Sequence, residues 1–153
     1  MSDKRTKPIG KIVTPIPSDT KPFFVWNDRF ALGPPAVDAE HKRFFDLANR
    51  LHASILADEG PASAKKILAG MSEYARRHFD DEEARLVASA CPYLPRHRVE
   101  HRLFVMTLTR LQGHEEPSAD DAFCLARDWI LEHILGMDRL HSTWMLPPSI
   151  TPP

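Results

Sequence analysis

Cysteine is scarce in this chain: Cys91 and Cys124 are the only two, and they lie far apart. That argues against a disulfide framework, matches no thiolate metal pattern, and fits reduced thiols. Net basic charge is missing as well, with 20 Lys and Arg against 21 Asp and Glu, so no overall field attracts a nucleic-acid backbone or an anionic membrane. The opening residues Met1 to Gly10 carry no apolar run of the signal-peptide kind. No later stretch approaches the roughly 20 apolar residues of a membrane span. A cytoplasmic protein without nucleic-acid partners is expected. Alternating Val/Ile/Thr-rich segments are absent too, which argues against strands, and no internal repeat is evident.

Proline is plentiful by contrast. The chain has 14, and proline inside a helix removes a hydrogen bond and clashes with the preceding turn. Six fall between Pro8 and Pro35 and four between Pro147 and Pro153, so both ends read as extended arms. The first arm, up to Pro22, carries five Lys/Arg against two Asp and reads as a solvated tail. Pro61, Pro92, Pro95 and Pro117 separate four amphipathic stretches. At 153 residues the chain fits one domain. The expected division is an N-terminal arm over 1–22, a bundle over 23–141 and a proline-rich tail over 142–153.

Four helices account for the periodicity. The first, from about Asp38 to Ala57, turns His41, Phe45, Ala48, His52 and Ile55 to one face. The second, from about Ala62 to Ala88, does so with Ile67, Met71, Tyr74, His78, Glu82 and Leu86, leaving Lys65, Lys66, Arg76 and Arg77 outside. The third starts near Pro95 and presents His97, His101, Phe104, Leu108 and Leu111. The fourth, with Ser118 as N-cap, presents Ala122, Ala126, Ile130, His133 and Met137. Short connections favour antiparallel neighbours, so the expected fold is all-α, an up-down-up-down four-helix bundle.

Every helix thus turns histidine inward. One histidine on an apolar face is usually a core residue satisfied by a carbonyl or a water. Four helices each bringing imidazole, two of them with carboxylate, to one interior call for a joint explanation, because each unpaired buried polar group costs on the order of 1–3 kcal/mol. A metal centre supplies it. His97 and His101, one turn apart, can chelate one ion, as can His78 with Glu82. His133 and Asp138 are five apart, about 500° of rotation, which on an ideal α-helix aims them roughly 140° apart. A loosened or widened turn at Gly136 is expected to bring both inward. A closed structural zinc site takes four ligands and leaves three of the seven groups unexplained. Two ions are therefore expected, iron in preference to manganese for mixed imidazole and carboxylate ligands in a four-helix bundle. The Glu-x-x-His pairs of ferritin-like di-iron bundles are absent, so this is another di-iron class.

The order and spacing of His41, His78, Glu82, His97, His101, His133 and Asp138 resemble the hemerythrin family, specifically its single-domain bacterial members. The likeness extends from Trp26 through Val37-Asp-Ala-Glu-His41-Lys-Arg, His78-Phe79, Glu82-Glu83 and Trp129, covering about residues 24 to 140. It implies that His97, His101 and His133 bind one iron, that His41 and His78 bind the other, and that Glu82, Asp138 and an oxo or hydroxo group bridge them. The first iron then has six ligands and the second five, with the free position open to dioxygen. Phe44, Phe79, Trp129 and Ile134 correspond to positions lining the ligand pocket, and each is equally compatible with ordinary bundle core. Position 44 departs from the family pattern, where Leu or Ile is usual.

The resemblance implies reversible oxygen binding without enzymatic turnover, for storage, buffering or delivery to an oxygen-consuming enzyme; a monomer is the expected state, though the sequence does not set it. Two alternatives stand beside it: an enzyme acting on peroxide or nitric oxide at the same centre, and a sensor signalling through its arms. Among the remaining histidines, His52 reads as a core or boundary residue. His114 and His141 read as surface residues, the latter near enough to Asp138 in sequence to sit behind the ligands.

Overall fold

The computed structural model describes residues 19–146 of the chain, so most of the N-terminal arm and the tail prolines lie outside the described residues. Four helices form an antiparallel bundle: α1 (Pro35–Leu56), α2 (Pro61–Ala88), α3 (Leu94–Gln112) and α4 (Ala119–Asp128). Helix α1 lies between α2 and α4, and α3 completes the square opposite it.

The helix starts are set by residues that suit the unsatisfied first turn. Proline occupies N1 or N2 in α1, α2 and α3, where its missing N–H costs nothing. Pro35, grouped above with the arm, is the first residue of α1, so this helix begins three residues before the expected Asp38. Proline is excluded from helix interiors but tolerated at their openings. Ser118 caps α4 by accepting from the Asp121 N–H at 3.1 Å, with Asp120 and Asp121 placed favourably against the helix dipole.

The expected inward stripes are the core. Phe45, Ala48, Ile67, Met71, Phe104, Leu108, Ala122 and Ile130 are all buried in one cluster. A strap before α1 seals the open side. Asn49 exchanges two 2.8 Å hydrogen bonds with the backbone of Phe24, while Trp26 and Phe30 pack against Phe45. His52 meets Phe23 and Phe123 beneath this strap, a boundary position as expected. Cys91 is buried and Cys124 exposed, both as free thiols. Among the described residues no helix is long and apolar enough to cross a membrane.

Helix α4 passes without a break into a π-helical segment, Trp129–Asp138, and a last α-helical turn, Arg139–His141. Hydrogen bonds from i to i+5 put residues five apart on one face, so Asp138 takes the inward place that α-helical spacing assigns to Met137. Asp138 is fully buried and Met137 is only half-buried. The widened turn is therefore present, but it begins at Trp129 and does not depend on Gly136. A Cβ at Gly136 would meet nothing within 4 Å, and its φ lies outside the left-handed region. Gly136→Ala is accordingly expected to keep the site intact and raise stability by about 0.5–1 kcal/mol; loss of metal binding on that substitution would restore the glycine to the explanation. After the last turn, Ser142–Trp144 forms a short 3-10 helix. Met145 then buries itself against Val37, Leu86 and Cys91.

Candidate metal centre

All seven candidate ligands converge in the bundle interior, and all seven are buried. Their donor atoms fall into two groups within 4.8 Å: Glu82, His97, His101, His133 and Asp138 in one, and His41, His78 and Glu82 in the other. Glu82 belongs to both. Its Oε1 lies 2.7 Å from His97 Nε2 and its Oε2 lies 2.9 Å from His78 Nε2. Asp138 also faces both sides, with Oδ1 3.1 Å and 3.0 Å from His97 and His133 Nε2 and Oδ2 3.2 Å from His41 Nε2.

The chemistry of this donor set fits cations. Buried away from water, His41 Nε2, His101 Nε2, His133 Nε2, Glu82 Oε2 and both Asp138 oxygens make no well-aligned hydrogen bond, only the close imidazole–carboxylate contacts given above for all but His101, an arrangement that a bound cation would satisfy. Within the ligand cluster itself, positive charge can come only from protons on the imidazoles. Burial pushes the His78 and His97 imidazolium groups down, but bonds to Glu40 and Glu82 hold His78 up at about 9. Bonds to Asp138 and Glu82 hold His97 at about 10. His41 is raised in the same way, by Asp138 and Glu82 against burial. Burial would raise the Glu82 carboxyl, but His41, His78 and His97 hold it well below its usual range. His101 goes the other way: burial, with His133 and His97 beside it, lowers it to about 4 despite Glu82. Its Nε2 stands bare at neutral pH.

Behind the ligands runs a ring of braces that the sequence reading did not anticipate. Glu40 of α1 accepts from His78 Nδ1 of α2 at 2.7 Å. Glu83 of α2 accepts from His101 Nδ1 of α3 at 2.8 Å. Glu100 of α3 accepts from His133 Nδ1 at 2.8 Å. Each helix thus braces a ligand of the next. Two braces are themselves clamped, Glu40 by Arg85 at 2.8 Å and 3.1 Å and Glu83 by Arg98 at 2.8 Å. Burial raises Glu40, yet His78 and Arg85 lower it to about 2. Such partners fix the tautomer and aim of a ligating imidazole. A sequence signal existed: every brace is the immediate neighbour of a ligand, as in Glu40-His41, Glu82-Glu83 and Glu100-His101. The ring does not close, for His41 Nδ1 has no hydrogen-bond partner among the described residues.

His141 requires a correction. It is 2% exposed, not at the surface, and its Nδ1 lies 2.9 Å from His97 Nδ1. The helical turn after Asp138 continues inward, so a residue three positions on shares the Asp138 face. His114 is exposed as expected.

Aromatic rings wall the centre. Phe79 stacks on His101 at 4.0 Å and Trp129 on His133 at 3.8 Å, while Phe44 meets His78 edge-on at 5.3 Å. Phe44, Phe79, Trp129 and Ile134 all lie in the main core cluster. Two of these expected pocket residues therefore stand against the side with three imidazoles, and Phe44 stands against the side with two.

The hemerythrin HHE cation binding domain matches residues 33–142. The chain belongs to the hemerythrin family. Among curated hemerythrins it is 29% identical over 125 residues to a bacteriohemerythrin of Clostridium acetobutylicum, covering 76% of this chain and 97% of that protein. A bacteriohemerythrin of Ralstonia nicotianae is 30% identical over 131 residues, covering 81% and 90%. A myohemerythrin of Riftia pachyptila is 29% identical over 115 residues, covering 75% and 88%. The hemerythrin match spans α1 to the last turn after the π-helical segment, and so contains every residue of the buried cluster and of its ring of braces.

Proposed function

We propose that this chain binds dioxygen reversibly at a non-haem di-iron centre. His97, His101 and His133 would hold one iron and His41 and His78 the other, with Glu82 and Asp138 facing both. The observation that carries this reading is the overlap of two buried ligand groups on one carboxylate, with three imidazoles on one side and two on the other. A pair of irons bound there supplies the electrons that dioxygen takes up on binding and returns on release. The family match and the resemblance to bacteriohemerythrins and a myohemerythrin support it.

The protein's part is to hold, orient and exclude. With one imidazole fewer, the His41/His78 side would leave room for a small ligand. Phe44 on that side, with Phe79, Trp129 and Ile134 around the rest of the centre, keeps bulk water and stray protons away, which suppresses competing oxidation. In this reading the chain is an oxygen carrier and not an enzyme, a monomeric, cytoplasmic bundle over residues 23–141 that supplies an oxygen-consuming enzyme.

The test is a visible spectrum with metal analysis of iron-loaded protein. Two irons per chain are expected. The anaerobically reduced protein should be nearly colourless, gain a visible band under oxygen and lose it when oxygen is removed. Irreversible oxidation with consumption of hydroperoxide would replace the carrier with an enzyme.

Phe44 is the residue in this wall that departs from the family pattern. Fully buried and edge-on to both His78 and Tyr74, it narrows the space beside the two-imidazole side. Phe44→Leu should open that space, speeding oxygen entry and autoxidation, at a stability cost below the roughly 3–5 kcal/mol of a Phe→Ala truncation. Stopped-flow oxygen binding and the autoxidation rate read the effect, and values equal to those of the parent chain would remove Phe44 from the gate.

A further inference from the structure

Three of the four outer partners are carboxylates, and the fourth is an imidazole. A histidine that gives Nε2 to a cation keeps its proton on Nδ1. The 2.9 Å contact between His97 Nδ1 and His141 Nδ1 then joins donor to acceptor only if His141 presents a bare Nδ1 and carries its own proton on Nε2. The Tyr93 ring lies parallel to His141, 1° between planes and 5.0 Å between centroids. The same turn that carries Asp138 into the centre carries His141 in behind His97.

We propose that His141 is a positioning residue for His97: a neutral acceptor that locks His97 with Nε2 aimed inward, without adding the negative charge that Glu40, Glu83 and Glu100 place behind His78, His101 and His133. A carboxylate partner makes a ligating imidazole more basic and so favours the oxidised metal. With a neutral partner behind one of its three imidazoles, the His97/His101/His133 side has a higher reduction potential than a full set of carboxylates would give. Electron return on oxygen release, and resistance to autoxidation, are both served by that choice.

The inference rests on the di-iron reading, and the experiment separates the two. Full-length iron-loaded protein is compared with His141→Phe, His141→Gln and His141→Glu by iron competition against a chelator and by the midpoint potential. His141→Phe keeps a ring on Tyr93 but strands the His97 N–H; one of the two irons should bind about 10–100-fold more weakly. His141→Gln, whose carbonyl accepts the same bond, should recover most of that loss. His141→Glu should keep both irons and lower the midpoint potential. Nitrogen NMR of the unaltered chain loaded with zinc gives a readout independent of the variants, with the His97 proton expected on Nδ1. A His141→Phe chain that binds both irons like the parent, a His141→Glu chain of unchanged potential, or a His97 Nδ1 without its proton would each overturn the assignment while leaving the di-iron reading standing. A parent chain holding fewer than two irons would overturn both.

Discussion

Glu82→Gln should reduce the iron content of the purified chain from two per chain to one or none. The substitution keeps the shape of the side chain and removes its charge. Glu82 is fully buried and contacts both sides of the centre, through Oε1 towards His97 and through Oε2 towards His78. An amide offers one poor donor oxygen and one N–H that would point at a cation, so both positions lose their shared anion at once. The penalty should exceed the roughly 10–100-fold in affinity typical of an outer partner, which Glu100→Gln would measure alongside. Metal analysis with circular dichroism, to confirm an intact bundle, checks the outcome. Two irons retained by a folded Glu82→Gln chain would refute the shared-carboxylate geometry.

Stripping the metals should produce a protein whose stability falls as pH rises through the alkaline range. His78 and His97 are held at about 9 and about 10, above the ordinary value of roughly 6.5 they recover on unfolding. A group with a raised folded-state pKa contributes its stability fully below the unfolded value and loses it as pH climbs through the folded one. For His78 alone that is on the order of 3 kcal/mol, lost between about pH 6.5 and pH 9. Metal uptake has the opposite slope, because the same protons must leave before the imidazoles can ligate. The stabilisation conferred by iron should therefore widen with pH, and at 1,000 times the dissociation constant a single bound ion adds about 4 kcal/mol. Urea unfolding of both forms at pH 6 and pH 9.5 checks the divergence. Metal-free stability that stays level or rises over that interval would count against the proton-compensated interior.

The bundle and its ligands were legible because each is a property of a single helix. Period-3.6 spacing placed Phe45, Met71, Leu108 and Ile130 inward, and the ligands occupied the same stripes. The π-helical segment was half legible. A five-residue gap between His133 and Asp138 contradicts an α-helix, but the choice of Gly136 as its cause followed from residue type, whereas the widening runs from Trp129 and is set by backbone hydrogen bonding. The braces were legible in one helix only as carboxylates adjoining a ligand; which histidine each one holds was not, since Glu40, Glu83 and Glu100 each act on a neighbouring helix. His141 was misplaced for a related reason. The bundle was expected to reach residue 141, but which way its last turn faces depends on the π-helical segment before it.

The ring of braces also governs sliding. Glu40, Glu83 and Glu100 tie α1 to α2, α2 to α3, and α3 to the π-helical segment. Displacing α2 or α3 along its axis by one turn, about 5.4 Å, would part its ligand from the brace on one side and its brace from the ligand on the other. Each inner helix is pinned lengthwise twice over by short charged contacts, whereas its greasy interior alone would tolerate a ratcheted neighbour. The scaffold is thus cut to length before any ion arrives, so loading and unloading should proceed with little rearrangement of the backbone.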